Sequence, residues 1–189
     1  MNNICVFCGS NPGDKPIYLE QAAKLGRVMA QRNINLIYGA SDLGLMGAVA
    51  KAILANGGSA IGIMPEIFDN RVQHPELTDL IITKDMKERK AMMLEKSDGF
   101  ISLPGGFGTL EELFEMITLN QIGYHDKPSA ILNIDGFYDK LIEFLDHLTA
   151  EKFIHPAHRE ALIISDDINE ILDRMENYQP VNVDKWINA

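Results

Sequence analysis

Apolar and polar positions follow two different periods along this chain. Short, continuous apolar runs predict buried strands, whereas longer segments with apolar residues three and four positions apart predict amphipathic helices. The two patterns alternate through most of the sequence. The predicted strands lie at residues 3–8, 35–38, 59–64, 80–83, 99–103, 128–134 and 161–165. One predicted helix begins at about residue 16, and a second begins in the 39–47 loop and ends at about 56. The other predicted helices span residues 85–96, 110–122, 136–149 and 166–177.

A repeated alternation of strand and helix is typical of α/β proteins with a parallel sheet. We therefore predict a Rossmann-like, doubly wound parallel sheet with helices on both faces. The chain has 189 residues, of which 46% are hydrophobic, and this suits one domain with a sizeable core. Because no repeat, linker or low-complexity segment divides the sequence, we expect a single domain over residues 1–189, with a patternless tail from about 180.

Three glycine-containing loops, at 9–13, 39–47 and 104–108, each follow a predicted strand directly. In a parallel sheet the carboxyl ends of the strands lie at one edge, and ligands bind in the crevice beyond that edge. We therefore expect the three loops to converge on one pocket, with Arg89 facing it. The segment 68–78 has no clear periodicity and is predicted as a loop, either next to the site or a plain surface connection.

The third loop lies between a buried strand and a helix and contains three glycines within four residues. This layout presents backbone N–H groups to an anion at the start of the helix, and glycine lets the ligand approach the backbone closely. The loop therefore predicts phosphate binding. The structural alternative is that Thr109 and Glu112 form a capping box, in which each side chain bonds a backbone N–H at the helix start. A capping box does not require the glycines that precede it.

The acidic balance of the chain narrows the choice of partner. It has 17 Lys and Arg residues against 27 Asp and Glu residues, which gives a net charge of −10. This excludes a nucleic-acid partner, because binding to a phosphate backbone needs a basic face. A mononucleotide stays compatible if a few cations converge locally. Because the sequence has no signal pattern at its start and no long apolar run, we expect a cytoplasmic protein without a membrane partner.

Cys5 and Cys8 have the spacing of a Cys-x-x-Cys motif, which is found in redox and metal sites. They lie in a predicted strand, where positions three apart point to opposite faces. A zinc site would need further ligands, and the sequence has no second cluster that supplies them. We therefore interpret both cysteines as small buried residues, and we expect neither a metal nor a cofactor.

The predicted helix at 85–96 carries a second candidate cluster. Met86, Arg89, Lys90 and Met93 share one helical face, because they are three, four and seven positions apart. Taken alone, this pattern also fits an amphipathic helix whose cations lie in water. Its place just before the glycine turn favours a functional role.

The run from Pro104 to Glu112 matches the pattern Pro-Gly-Gly-x-Gly-Thr-x-x-Glu at every fixed position. It resembles the signature of the LONELY GUY family, the cytokinin riboside 5'-monophosphate phosphoribohydrolases. Met86, Arg89 and Lys90 resemble that family's second signature, Met-His-x-Arg-Lys. The resemblance covers roughly residues 3–165 and implies that Arg89 and Glu112 are catalytic. The predicted substrate-binding residues are Gly9, Ser10, Gly39, Met86, Arg89, Lys90, Gly105, Gly106, Phe107, Gly108, Thr109, Leu110, Glu111 and Thr118.

The resemblance implies a hydrolase that cleaves the N-glycosidic bond of a purine nucleoside 5'-monophosphate to free base and ribose 5-phosphate. Such a reaction passes through an oxocarbenium-like sugar, which a nearby carboxylate stabilises. Glu112 in the first turn of a helix is expected to stay ionised. Arg89 would bind phosphate and offset the repulsion between that carboxylate and the substrate. The resemblance also implies a homodimer or higher oligomer with sites near the interface.

The chain departs from the family pattern at several positions. Gly39-Ala40-Ser41 replaces a run of three glycines, Lys87 replaces a histidine, and Arg71 occupies the place of a glutamate that contacts substrate. These changes leave the catalytic positions intact and bear on which nucleotide is preferred. A non-catalytic alternative is a molybdenum-cofactor carrier, since such proteins resemble this chain in fold and in the Pro-Gly-Gly-x-Gly-Thr turn.

Overall fold

The computed structural model describes residues 1–69, 77–181 and 183, and its centre is a seven-stranded, all-parallel sheet. The Rossmann-like doubly wound sheet predicted from the sequence is confirmed. The strands are β1 (Asn3–Phe7), β2 (Asn35–Tyr38), β3 (Ala60–Pro65), β4 (Asp79–Thr83), β5 (Gly99–Ser102), β6 (Ser129–Leu132) and β7 (Ile163–Ser165). The helices are α1 (Pro16–Gln31), α2 (Gly44–Ala55), α3 (Glu66–Asp69), α4 (Met86–Lys96), α5 (Phe107–Gln121), α6 (Asp139–Ala150), α7 (Pro156–Ala161) and α8 (Ile168–Glu176).

The strand order is β4-β3-β2-β1-β5-β6-β7. The chain therefore builds the sheet outward from β1 in one direction and resumes at β5 in the other. The loops after β1 and β5 leave the sheet side by side and turn to opposite faces. A crevice opens at such a switch point, and in sheets of this kind it is where ligands bind.

Alternate residues of β1 face opposite sides of the sheet. Ile4 and Val6 pack in a large apolar cluster with α1, α2 and α8, whereas Cys5 and Phe7 pack in a second cluster with α4 and α5. Cys8 belongs to the first cluster, so the two cysteines lie on opposite sides, as predicted. Both thiols are free and buried, and burial raises the pKa of each. Both are therefore kept neutral.

Short elements and element ends differ from the sequence prediction. The prediction did not include α3 or α7, which have only four and six residues and so cannot show a helical period. Helix α5 begins three residues before the predicted start, and a 3₁₀ turn, Ile134–Gly136, precedes α6. The predicted loop 68–78 overlaps α3, and its residues 70–76, which include Arg71, lie outside the described residues.

The loop between α5 and β6 is held by one histidine. The His125 Nδ1 accepts a hydrogen bond from the Lys127 N–H at 3.1 Å, and the His125 Nε2 lies 3.0 Å from the Met116 carbonyl oxygen. The neutral ring with its proton on Nε2 satisfies both contacts. Burial lowers the pKa of His125 below the usual histidine value. Protonation would place a hydrogen on Nδ1, which could then no longer accept from the Lys127 N–H.

We expect acid to weaken the fold through His125. Its pKa is lower in the folded state, so the unfolded chain binds more protons and gains stability as the pH falls. The stabilisation is complete above about pH 6.5, the pKa of an unfolded histidine, and is lost as the pH falls through the folded-state pKa. Urea unfolding at about pH 7.5 and about pH 5.5 measures the effect. His125→Gln should lose less stability between these pH values than the parent, and equal losses would contradict the assignment.

Candidate active site

The loops after β1, β2 and β5 meet at the carboxyl edge of the sheet and enclose a cavity of about 690 Å³. Backbone hydrogen bonds tie these loops together. The Gly9 N–H donates to the Pro104 carbonyl, and the Gly9 carbonyl accepts from the Leu45 N–H, each over 3.0 Å. The structure thus brings the three glycine loops to one pocket, as the sequence predicts. The lining also includes Gly39, Gly105 and Arg89.

Helix α5 begins at Phe107 and presents its amino-terminal end to the cavity. Gly106 is the N-cap residue, and no side chain caps the helix. The Leu110 N–H donates to the Gly106 carbonyl at 3.1 Å, so the N–H groups that precede it have no acceptor within the helix. A helix end of this kind carries partial positive charge and is suited to bind phosphate.

The capping-box alternative for Thr109 and Glu112 is wrong. These residues are the third and sixth of α5, because the extended conformation ends at Gly106 and the helix therefore starts before Thr109. Thr109 is buried against the glycine turn. A Cβ on Gly105 would lie 2.1 Å from the Thr109 Oγ1 and 2.9 Å from the Gly9 nitrogen. Only glycine fits at position 105.

Helix α4 carries Arg89 into the cavity. The Asp85 side chain caps α4 by accepting from the Glu88 N–H at 2.8 Å. One turn later the Arg89 side chain is 91% buried. Its Nε donates to the Ile63 carbonyl at 3.1 Å, and its Nη1 donates to the Glu112 Oε1 at 2.6 Å. Arg89 therefore links the end of β3 to α5.

The carboxyl of Glu112 is as buried as the guanidinium that it contacts. Burial raises the pKa of Glu112, and the adjacent Arg89 opposes that rise. The prediction that the amino-terminal end of α5 keeps Glu112 ionised is wrong about the cause. Glu112 lies in the second turn, and the effect of the helix end decays within the first turn. Arg89 is the group that favours the ionised form.

Lys90 does not line the cavity. Its ammonium pairs with the Glu111 carboxylate and, at 2.8 Å, with the Glu115 Oε2, both on α5. Since Lys90 follows Arg89, it points about 100° further around α4, towards the flank of α5. It clamps the two helices together and neutralises carboxylates near the mouth of the cavity.

Most of the predicted site residues do come together. Leu110 and Thr118 are further exceptions besides Lys90: Leu110 packs in the apolar cluster around Leu113, and Thr118 lies on the exposed side of α5. The predicted residues that line the cavity are Gly9, Ser10, Gly39, Met86, Arg89, Gly105, Gly106, Phe107, Gly108, Thr109, Glu111 and Glu112.

Two apolar walls of the cavity were missed by the sequence analysis. One is aromatic: Tyr18 and Phe137 meet edge to face with ring centroids 5.7 Å apart, and the neighbouring Tyr138 donates its hydroxyl proton to the Leu103 carbonyl at 2.7 Å. The aromatic pair at 137 and 138 was a visible signal, but the sequence did not place it beyond a strand end. The other wall consists of Leu43, Met46, Met64, Pro65 and Phe68.

The departures from the family pattern have distinct structural roles. Ala40 is buried and adopts a left-handed conformation, with φ of 63°, which for a residue with a side chain costs about 1–2 kcal/mol. Ser41 lines the cavity, and its Oγ accepts from the Leu43 N–H at 3.2 Å. Lys87 is exposed and does not line the cavity.

Over residues 1–69, 77–181 and 183, no group of three or more His, Cys, Asp or Glu side chains could hold a metal ion. Within the same part of the chain, no helix is long and apolar enough to span a membrane.

We expect Arg89→Met to lower the free energy of unfolding by about 3 kcal/mol near neutral pH, because it leaves Glu112 buried without its partner. Lowering the pH should restore part of the lost free energy of unfolding. Without Arg89 the folded-state pKa of Glu112 lies further above the unfolded value, so the folded protein binds the extra proton. Urea unfolding from about pH 8 to about pH 5 measures both effects. The double variant Arg89→Met/Glu112→Gln is the control, and an identical pH response in both variants would contradict the pairing.

The sequence of this chain is similar to that of known proteins. A family model described as "Possible lysine decarboxylase" matches residues 46–175. A probable cytokinin riboside 5'-monophosphate phosphoribohydrolase of Oryza sativa subsp. japonica is 42% identical over 94% of this chain and 73% of its own length. A cytokinin riboside 5'-monophosphate phosphoribohydrolase of Arabidopsis thaliana is 43% identical over 94% of this chain and 83% of its own length.

Solved structures share the fold at lower identity. The molybdenum cofactor binding protein of Rippkaea orientalis has a TM-score of 0.71 at 20% identity, over 93% of this chain and 96% of that one. The molybdenum cofactor carrier protein of Chlamydomonas reinhardtii has a TM-score of 0.71 at 19% identity, over 94% and 96%. These likenesses show the fold alone. The sequence relatives decide the family, and the chain belongs to the LONELY GUY family of cytokinin riboside 5'-monophosphate phosphoribohydrolases.

Proposed function

We propose that this protein hydrolyses the N-glycosidic bond of a purine nucleoside 5'-monophosphate, either AMP or a cytokinin-type nucleotide, and releases free base and ribose 5-phosphate. The observation that carries the proposal is the buried Arg89–Glu112 pair in the same cavity as the uncapped end of α5. The relatives from rice and Arabidopsis are named for this reaction. Decarboxylation of lysine lacks comparable support, since the described lining of the cavity includes no lysine that could form a Schiff base.

The phosphate is bound by backbone groups in this proposal. The N–H groups of residues 107–109 have no acceptor within α5, and the three glycines of the loop leave space for an anion to reach them. Arg89 is the cationic side chain in the described lining, and it is bonded to Glu112. Phosphate binding through amides positions the scissile bond without a lysine, and it is compatible with a chain whose net charge is −10.

In this proposal Glu112 acts on the sugar of the substrate. As the bond from the anomeric carbon to the base nitrogen breaks, the sugar becomes cationic, and a carboxylate next to it lowers the barrier. Water adds to the anomeric carbon, one of its protons passes to Glu112, and the departing base takes up a proton from solvent, to which Glu112 later returns its own. Burial raises the pKa of Glu112, which makes it a stronger base than an ordinary carboxylate. Arg89 keeps it ionised until the water reacts.

We expect Glu112→Gln to slow base release about a hundredfold or more, because it removes a charge that stabilises the transition state. Nucleotide affinity should be kept, since the phosphate is held by other groups, and it can rise as repulsion between carboxylate and phosphate disappears. Single-turnover release of base from AMP and from N6-prenylated AMP measures the effect, with equilibrium binding in parallel.

Glu115→Gln is the matched control, because Glu115 lies one turn further along α5 and outside the cavity. It should turn over at close to the parent rate. A Glu112→Gln protein with the parent rate would end the catalytic assignment. A parent protein that releases no base and copurifies with a pterin would favour the molybdenum-cofactor carrier.

We also propose that the protein forms at least a homodimer. Phe107 at the mouth of the cavity is 93% exposed, and Met86 on α4, Phe114 on α5 and Ile122 at the end of α5 are exposed as well. Phe107 and Met86 both line the cavity, and exposed large apolar side chains at such a place are typical of a surface that another protein covers. Light scattering at micromolar concentration should give at least twice the 21.1 kDa mass of the chain. A monomeric mass would refute the proposal.

A further inference from the structure

We propose that Gly39 is a positioning residue, whose lack of a side chain lets the Arg89 guanidinium lie between β3 and Glu112. The inference goes beyond the predicted role of Gly39 as a residue that contacts substrate. It rests on the proposed function for its catalytic meaning only, because the geometry concerns the protein alone.

The end of β2 creates the space that Arg89 occupies. Strand β2 ends at Tyr38, which pairs with Gly62 of β3, while β3 continues to Pro65. The carbonyl of Ile63, the next residue of β3, accepts from the Arg89 Nε at 3.1 Å. Because the chain turns away after Tyr38, an arginine from α4 takes the place beside β3 that a longer β2 would fill.

Gly39 forms the floor beneath the guanidinium. A Cβ at this position would lie 2.6 Å from the Arg89 Nη2, 3.7 Å from its Cζ and 3.3 Å from the Met46 Sδ. A 2.6 Å approach is closer than carbon and nitrogen atoms tolerate, so the guanidinium would have to shift. The backbone of Gly39 itself is not in the left-handed region, so alanine would be excluded there by the neighbouring side chain and not by backbone strain.

The two residues that follow Gly39 support this assignment. Ala40 takes the left-handed conformation, with φ of 63°, and Ser41 turns its Oγ to the Leu43 N–H. The chain therefore accepts a side chain at both of these positions, even where the backbone is strained. It keeps glycine at the position that touches Arg89.

A shifted guanidinium would lose its geometry towards Glu112. The Arg89 Nη1 lies 2.6 Å from the Glu112 Oε1 and its Nε is fixed by Ile63, so a movement at Nη2 disturbs both contacts. Arg89 opposes the rise in the pKa of Glu112 that burial causes. Gly39→Ala should therefore act on Glu112 through Arg89, without touching Glu112 itself.

The test is a double-mutant cycle of Gly39→Ala and Arg89→Met. Carbon-13 NMR of the side-chain carboxyl carbons, with Glu112 assigned through Glu112→Gln, reads the protonation of Glu112 without any turnover. Gly39→Ala should raise the pKa of Glu112 relative to the parent. In the Arg89→Met background the same change should have no further effect, because the group that it displaces has been removed. Base release should fall about a hundredfold in the single Gly39→Ala variant, the scale of a 1 Å misplacement.

Gly58→Ala is the matched control, because its Cβ would lie 2.6 Å from the Ile53 Cγ1 and 3.0 Å from the Ala30 Cβ, on the face of the sheet opposite to α4. It should lower stability and leave the pKa of Glu112 unchanged. If Gly39→Ala alone does not fold, adding Arg89→Met and Glu112→Gln together should restore folding, because this makes room without leaving a buried charge, and failure to do so would overturn the proposal.

An unchanged pKa of Glu112 in Gly39→Ala would also overturn it, as would an equal shift with and without Arg89. The pKa of Glu112 can shift as expected in Gly39→Ala even when the parent protein releases no base. That result would support the positioning role of Gly39 and refute only the proposed reaction.

Discussion

The desolvation of two opposite charges constrains how this site is built. An arginine and a carboxylate buried together lose the hydration of both groups, and their attraction offsets this loss only when the geometry is good and the remaining donors are bonded. Here Arg89 and Glu112 come from two different helices, so the helices must be held in register. The carbonyl of Ile63 accepts from a further donor of Arg89, and Lys90 pairs with the carboxylates of Glu111 and Glu115 on either side of Glu112. Removing either partner leaves a buried charge, which makes the pair sensitive to changes around it.

Much of the fold could be predicted from the sequence, because its signals are long and local. Predicted strands of four to seven residues correspond to all seven strands of the sheet, and their alternation with helices indicated that the sheet is parallel. The convergence of the glycine loops followed from that sheet, since parallel strands end at one edge. The short helices α3 and α7 were missed because a single turn or two cannot display a period.

Parts of the site depend on distances that no local pattern encodes. Thr109 and Glu112 have the spacing of a capping box, but Gly106 starts the helix earlier and the spacing loses that meaning. Lys90 resembles a substrate contact in sequence, yet the carboxylates of α5 bind it once the helices pack. Tyr18 and Phe137 are more than a hundred residues apart, and only the folded chain brings them together as one wall.

The peptide groups around Gly9 link three loops at a single residue, since its N–H is bonded to the loop after β5 and its carbonyl to the start of α2. Loops joined in this way lose their independent motion when the chain folds. The conformational entropy of these loops is therefore lost during folding, and its loss does not reduce the affinity for a ligand. An incoming nucleotide meets a surface that is already arranged. Its affinity can then be governed by the complementarity of that surface rather than by the cost of assembling it, and the protein can release its product without first dismantling the site.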